Sequence, residues 1–266
     1  MIIINADDFG RSQAETDVIL ECYERRRITS ATAMVFMKDS ERAATLARKA
    51  DLDVGLHLNL DERFTGADVP RQLRNDHELV VRFLLAHKYA LLLYNPLLRK
   101  QFASVYRAEL HEFTRLYARQ PSHIDGHHHK HLCQNILLGC VIPAGETIRR
   151  DFSYWPAERS PLARAYRWFI DRSLERKYIV TRYFFSLREC LETGRLPRVF
   201  RLARSFDVEL MTHPSNPVEY EYLMSNCCED ALSQLPTGSY ATMKGLCRTS
   251  ASVSAPISDP NSSKSF

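Results

Sequence analysis

Two adjacent aspartates near the start of the chain are the first residues whose types suggest chemistry. Asp7 and Asp8 belong to the cluster Asn5–Gly10, which directly follows the apolar, β-branched run Ile2–Ile4. Adjacent side chains of a regular strand point to opposite faces, so both carboxylates can face one site only at a strand end, where the chain turns. Gly10 supplies the backbone freedom for such a turn. The alternative is a helix N-terminus made acidic to suit the helix dipole.

Two further clusters each place one histidine in or after an apolar strand. In the sequence Gly55–Leu60, His57 alternates with leucines, and in Glu209–Pro214, His213 ends an apolar run before a proline that stops strand pairing. Each histidine alone has a structural interpretation: His57 as a satisfied core histidine, and His213 as a strand-end residue. The functional interpretations are a metal ligand and a general acid.

The richest cluster is His123–His131, which holds five of the ten histidines of the chain. Neutral imidazole is the commonest metal ligand, and a carboxylate such as Asp125 can orient one. His127 and His131 are spaced to ligate from one helical turn, but His57 competes for one of those places. A solvated polar loop is the alternative to metal binding.

The clusters together are more specific than any one of them. One aspartate and two histidines make a three-ligand metal site that leaves positions open for water and substrate. A second aspartate can act as general base and a distant histidine as general acid. The set therefore predicts metal-dependent hydrolysis.

Apolar runs and helical periodicity indicate how these residues are positioned. Strands alternate with helices of about a dozen residues, a pattern typical of parallel strands joined by crossovers. We predict a single-domain α/β fold, a distorted or incomplete (β/α) barrel, with an open doubly wound sheet as the alternative. In such folds sites assemble at the carboxyl ends of the strands. The predicted strands are 2–6, 29–36, 54–60, 122–126, 146–150 and 208–212, and the predicted helices are 12–27, 40–50, a region from 77 to 119 interrupted near Asn95-Pro96, 162–177 and 187–205.

Composition excludes several classes of protein. The chain has 266 residues, 45% of them hydrophobic and 26% charged, with a formal net charge of +4 and basic residues that form no stripe. We therefore expect no nucleic-acid partner, and no apolar run is long enough to span a bilayer. The N-terminus lacks a basic region, so we expect a cytoplasmic protein. Residues 1–247 are predicted to form the domain, and 248–266 a disordered, serine-rich tail.

In their order along the chain, the four clusters resemble the motifs of the YdjC-like carbohydrate deacetylases, a family that includes chito-oligosaccharide deacetylases. The resemblance covers roughly residues 1–245. It implies a distorted (β/α) barrel, one divalent metal ion (Mg²⁺ or Zn²⁺), and hydrolysis of the acetamide of an N-acetylated mono- or oligosaccharide. Separately, the apolar middle of the segment 75–101 favours either a lid over the site or a contact in a homodimer.

The resemblance also implies a role for each matching residue. It implies that Asp8, His57 and His127 are metal ligands, that Asp7 is the general base and that His213 is the general acid. Asp125 would support a ligand. The rival hypotheses are a non-catalytic relative that binds metal or sugar, and a metal-dependent phosphoesterase. Many phosphoesterase sites hold two metals and need more carboxylates than these motifs offer.

Overall fold

The computed structural model describes residues 1–87, 89–155 and 161–244, in which parallel strands alternate with helices. The predicted tail, 248–266, lies outside the described residues. The strands are β1 (Ile2–Phe9), β2 (Ser30–Ala33), β3 (Val54–Leu58), β4 (Ile124–Gly126), β5 (Tyr183–Ser186) and β6 (Val208–Thr212). The helices are α1 (Gln13–Glu24), α2 (Ser40–Ala50), α3 (Arg71–Leu85), α4 (Arg99–Tyr117), α5 (Gln134–Leu137), α6 (Pro161–Lys177), α7 (Leu187–Glu192), α8 (Leu196–Ala203), α9 (Pro217–Met224) and α10 (Asn226–Ser233).

Within the described ranges the six strands form one parallel sheet in the order β4-β3-β2-β1-β6-β5. The sheet curves into a half-barrel flanked by helices, which confirms the predicted incomplete α/β barrel. Strand β1 is central and all eight of its residues are buried, as expected of a strand covered on both faces. Because the strands are parallel, their carboxyl ends meet at the same end of the sheet.

The segment 145–153 spans the gap between the two edges of the sheet. The backbone N–H of Arg149 donates to Ile124 at the start of β4, and the N–H of Ser153 donates to Phe184 in β5. Only Thr147 and Ile148 form bridges in this segment, each to a single partner, so the predicted strand at 146–150 is wrong. The segment forms backbone hydrogen bonds with both edges of the sheet, but at different positions along its length. It therefore forms no continuous strand pairing with either edge.

The structure also corrects several helix predictions. Ser12 caps α1 by accepting from the N–H of Glu15, as predicted, but the helix ends at Glu24. The region 187–205 forms two helices because Gly194 turns the chain at a φ of 65° between them. Strand β5 was missed because its four residues follow a helix without an intervening turn signal. Among the described residues, no helix is both long and apolar enough to cross a bilayer.

A segment near the C-terminal end of the described chain closes the amino-terminal end of the sheet. Pro236 accepts from the N–H of Ile2, and Tyr240 and Met243 pack on Ile3 in a small buried cluster. The Tyr240 ring stacks on His123 with centroids 3.6 Å apart, and its hydroxyl donates to Glu209. The polar groups inside the barrel are thereby shielded from solvent at this end.

We predict that Tyr240→Ala lowers the free energy of unfolding by about 3–5 kcal/mol, as is typical when a large buried ring is truncated. Urea denaturation followed by circular dichroism measures the change. Tyr240→Phe retains the ring and removes only the hydrogen bond, so it is expected to cost about 1–3 kcal/mol. Equal losses in the two variants would contradict the proposed packing role of the ring.

Candidate metal centre and catalytic site

Asp7 and Asp8 reach the same site because β1 is irregular at Asp8. The register of β1 against β2 shifts between Ala6 and Phe9, and Asp8 has a φ of 69°. A left-handed residue within a strand turns its side chain away from the alternating pattern. The chain does turn at Gly10, where φ is 82° and the strand has just ended at Phe9, as predicted. The two carboxylates converge, however, because of the irregularity at Asp8, two residues before that turn.

His57 is held in a fixed orientation by Asp125 on the neighbouring strand. The two residues are paired in register between β3 and β4, and Nδ1 of His57 lies 2.7 Å from Oδ1 of Asp125. The other ring nitrogen, Nε2, lies 3.3 Å from Oδ1 of Asp8. Burial alone would lower the pKa of His57, but the carboxylates of Asp125 and Asp8 outweigh it and raise the pKa well above the ordinary value. The pocket therefore favours positive charge beside Asp8.

The histidine-rich turn sends its side chains in different directions. After β4 the chain forms a 3₁₀ turn, His127–Leu132, in which His128 and His129 are left-handed. His127 points inward, with Nδ1 3.0 Å from Oδ1 of Asp8. His131 instead places Nε2 3.1 Å from the carbonyl oxygen of Arg149, and burial lowers its pKa to about 4. The alternative ligand pair of His127 and His131 is therefore not assembled.

Asp8, His57 and His127 form a buried group that could hold a metal ion. Their ligand atoms all lie within 4.8 Å of one another, and the two imidazole nitrogens are 3.3 and 3.0 Å from the same carboxylate oxygen. Metal–ligand bonds of about 2.1 Å place neighbouring donors about 3.0 Å apart in an octahedral shell and about 3.4 Å apart in a tetrahedral one. The spacing and the chemistry of this donor set fit a divalent cation.

Arg149 is the principal site residue that the sequence analysis missed. Its side chain is 0% exposed and lies inside the barrel, where it forms a bidentate pair with Asp7 at 2.7 Å for each of the two bonds. It also pairs with Asp125 at 2.8 Å and with Glu209 at 2.7 Å. The guanidinium therefore connects three carboxylates that belong to β1, β4 and β6.

This network determines the charge state of Asp7. Burial raises the pKa of Asp7, but the paired guanidinium of Arg149 and the nearby His57 together bring the pKa below the ordinary value. Thr32 also donates to Asp125 at 3.0 Å, and Asn5 donates to Asp7 at 3.0 Å. Asp7 is thus ionised and fixed by donors on several sides.

His213 follows β6 and lies beside Asp7. Thr212 is paired in register with Ala6, so the residues that come next, His213 and Asp7, are neighbours. Nε2 of His213 is 4.0 Å from Oδ2 of Asp7, and the His213 side chain is 37% exposed. Glu219 fixes the backbone here by accepting from the Thr212 hydroxyl and the His213 N–H, each at 2.9 Å. The structure therefore brings together all five residues singled out by the sequence.

Other contacts at the site come from residues that the sequence patterns did not single out. Glu62 lies with Oε2 3.1 Å from Nε2 of His127 and receives a bond from Arg11. Glu209 is buried beneath Arg149, and burial raises its pKa to about 7. Glu209 lies within the predicted buried strand 208–212, so the sequence could have indicated that this carboxylate is buried and needs a partner. Glu62 and Arg11 lie in loops without periodicity, so no sequence pattern indicated that they reach the site.

Comparisons with known proteins identify the family. The family model described as YdjC-like protein matches residues 1–234. A chitooligosaccharide deacetylase of Serratia marcescens is 34% identical over 252 residues, covering 92% of each chain. Carbohydrate deacetylase 2 of Listeria innocua is 32% identical over 127 residues, covering 47% of this chain and 49% of that protein. The chain therefore belongs to the YdjC-like family.

A solved structure supports the fold. The crystal structure of a protein from Enterococcus faecalis V583, whose suggested role is cellobiose-phosphate cleavage, superposes with a TM-score of 0.63. The two sequences are 19% identical, and the match covers 91% of this chain and 98% of the other. At this identity the similarity establishes the shared architecture alone.

We predict that Arg149→Met strongly destabilises the protein, because three buried carboxylates lose their cation. Removing one partner of a buried ion pair lowers the free energy of unfolding by about 3–5 kcal/mol, which urea denaturation can measure. The matched control is Arg188→Met, which breaks an exposed pair with Glu192 and should cost about 0–1 kcal/mol. Similar small losses in both variants would show that the buried network adds little to stability.

Proposed function

We propose that this protein is a metal-dependent carbohydrate deacetylase that removes acetyl groups from N-acetylated sugars. The observation that carries the proposal is the convergence of Asp8, His57 and His127 beside the Asp7–Arg149 pair and His213. The names of two similar relatives, a chitooligosaccharide deacetylase and a carbohydrate deacetylase, support the same substrate class. The substrate would be an N-acetylated mono- or oligosaccharide. The products would be acetate and the free amino sugar.

Asp8, His57 and His127 would hold one divalent ion, Mg²⁺ or Zn²⁺. When bound, such an ion polarises the acetyl carbonyl and lowers the pKa of a water molecule. The residues of the chain prepare the site for it. Asp125 would fix the tautomer of His57 by accepting a hydrogen bond from its Nδ1, which leaves Nε2 directed at Asp8. Contacts of this type orient metal-binding imidazoles and increase their basicity.

Asp7 would accept the proton of the attacking water. The pair with Arg149 keeps the carboxylate ionised and immobile, as a general base must be before the reaction. The same pair makes Asp7 a weak base, so the water must already be acidified when its proton moves. We therefore assign Asp7 a base role that depends on the neighbouring cation.

His213 would donate a proton to the leaving amine. An amine leaves poorly unless it is protonated as the C–N bond breaks, and a positioned histidine is the most frequent donor of such a proton. His213 is partly exposed and close to Oδ2 of Asp7, so it can receive a proton from this carboxylate or from solvent. Glu219 keeps its backbone fixed at the end of β6.

The direct test is to incubate the metal-loaded protein with N-acetylglucosamine oligomers and measure acetate. Release of acetate at a rate that depends on added metal supports the proposal. Metal binding without acetate release would favour the non-catalytic relative, and hydrolysis of a phosphate ester in its place would favour the phosphoesterase.

The two adjacent aspartates are predicted to differ in function. Asp8→Asn should weaken metal binding, because a neutral amide is a poorer ligand for a hard dication, and His57→Ala should do the same. Asp7→Asn should retain metal but lose about 10²–10⁴-fold in turnover, as is typical for a positioned base. Metal content by mass spectrometry and acetate release measure both effects. Equal metal loss in the two aspartate variants would refute this division of roles.

His213→Ala is predicted to retain metal and fold but to lose about 10²-fold or more in turnover on acetamides. An activated acetyl ester should be affected much less, because its leaving group needs no proton. The measurement is the rate of acetate release from each of the two substrates, compared between the variant and the wild-type protein. Equal losses would instead assign His213 a binding or structural role.

A further inference from the structure

A cavity of about 930 Å³ lies between the segment 145–153, α6 and the start of β5. Arginines and aromatic rings predominate among the described residues that line it. Its volume lies within the range of pockets that enclose small molecules. We propose that this cavity binds a nucleotide, with the phosphates held by Arg172 and Arg182 and the base against Trp168. The proposal does not depend on the reaction proposed above.

One face of α6 is turned toward this cavity instead of the core. Trp168, Asp171, Arg172 and Glu175 recur at the spacing that places side chains on one side of a helix, and all four line the cavity. The helix contacts the core through a different face, which includes the buried Ile170. The indole of Trp168 is 68% exposed, so its ring is available to stack on a ligand.

Two arginines at the cavity share a single carboxylate. Arg150 pairs closely with Asp171, at 2.7 Å. Arg172 and Arg182 both approach Glu175, at 3.9 and 3.8 Å, and within the described ranges neither has another carboxylate at ion-pair distance. Their side chains are 57% and 60% exposed. A guanidinium pairs with a phosphate through two parallel hydrogen bonds, so these two partly neutralised arginines favour a phosphate group in the cavity.

The floor of the cavity adds hydrogen-bonding atoms of both kinds. Nε of Arg150 and Oδ1 of Asp171 are buried and, in the part of the chain that the structure describes, make no hydrogen bond. Buried polar atoms without partners are costly. A hydroxyl group both donates and accepts, so a ribose hydroxyl that reaches the floor can supply a partner to either atom.

Trp168 favours a nucleotide over other phosphate compounds. It precedes Arg172 by one turn of α6, about 6 Å along the helix axis, a distance that a ribose can span between base and phosphate. Bases stack on aromatic side chains whatever their sequence, because every base has a flat π face. The aromatic ring, the polar floor and the two guanidiniums thus match the base, the ribose and the phosphates.

The test is isothermal calorimetry of the full-length protein with adenosine diphosphate (ADP), adenosine, inorganic diphosphate and glucose 6-phosphate. ADP should bind most tightly, because it alone has both a base and phosphates. Arg172→Gln and Arg182→Gln should each weaken ADP binding by about 10- to 100-fold, as expected for the loss of a hydrogen bond to a charged group. Trp168→Ala should weaken ADP binding by about 5- to 100-fold and leave diphosphate binding unchanged.

Two further variants separate a local effect from misfolding. Glu175→Gln removes the negative charge that competes for the arginines, so it should tighten ADP binding by about two- to fivefold. Misfolding cannot produce such a gain. The matched control is Arg188→Gln, which removes an exposed arginine paired with Glu192 on α7, outside the cavity. This variant should leave ADP affinity unchanged.

Several outcomes would overturn the nucleotide site. They are no ADP binding by the wild-type protein, unchanged affinity in both arginine variants, and no tightening in Glu175→Gln. Diphosphate or glucose 6-phosphate binding as tightly as ADP would also overturn it, because the base would then contribute nothing. Asp8→Asn should bind ADP as the wild-type protein does, and a loss there would place ADP at the metal centre instead. Failure of acetate release would leave all these affinities unaffected, so the two proposals are tested separately.

Discussion

The buried guanidinium of Arg149 is the interaction on which the rest of the site depends. Three carboxylates from β1, β4 and β6 surround it, and burying carboxylates to this extent is costly unless a cation is paired with them. Arg149 belongs to the irregular segment that spans the two edges of the sheet. The same residue therefore links the closure of the barrel to the orientation of Asp7.

The charge balance explains why a cation suits the neighbouring set. Asp125 bonds Arg149 through Oδ2 and His57 through Oδ1, so one carboxylate couples the arginine network to the proposed ligand set. Asp8 is left facing two imidazoles, and its pKa is held well below the ordinary value although burial alone would raise it. A divalent ion between these groups would take the place of the protons that otherwise balance the carboxylate.

Parallel register explains how distant parts of the sequence meet. Asp7 and His213 are separated by most of the chain, yet they follow paired residues of β1 and β6. His57 and Asp125 are paired directly between β3 and β4. Residues at the carboxyl ends of these strands therefore lie at the same end of the sheet. The loops that follow the strands contribute the remaining contacts of the site.

Local patterns were sufficient to predict the parallel α/β class and the five clustered side chains. Apolar, β-branched runs identify buried strands, and a histidine or aspartate within such a run must find a partner. The resemblance to YdjC-like deacetylases then assigned roles that the residues alone left open. The matching family model confirms membership, while the roles of individual residues stay predictions.

Only the tertiary structure decided the partners of those side chains. Arg149 lies in a segment whose pattern resembles a strand, and nothing local shows that its side chain crosses the barrel to Asp7. His127, and not His131, faces Asp8, and the turn between these two histidines contains two left-handed residues, which cost energy locally and are maintained by contacts elsewhere. The irregularity at Asp8 was likewise not predicted, although the turn that follows it at Gly10 was. Sequence patterns encode burial and periodicity, whereas long-range charge pairing and backbone strain are determined only when the chain is folded.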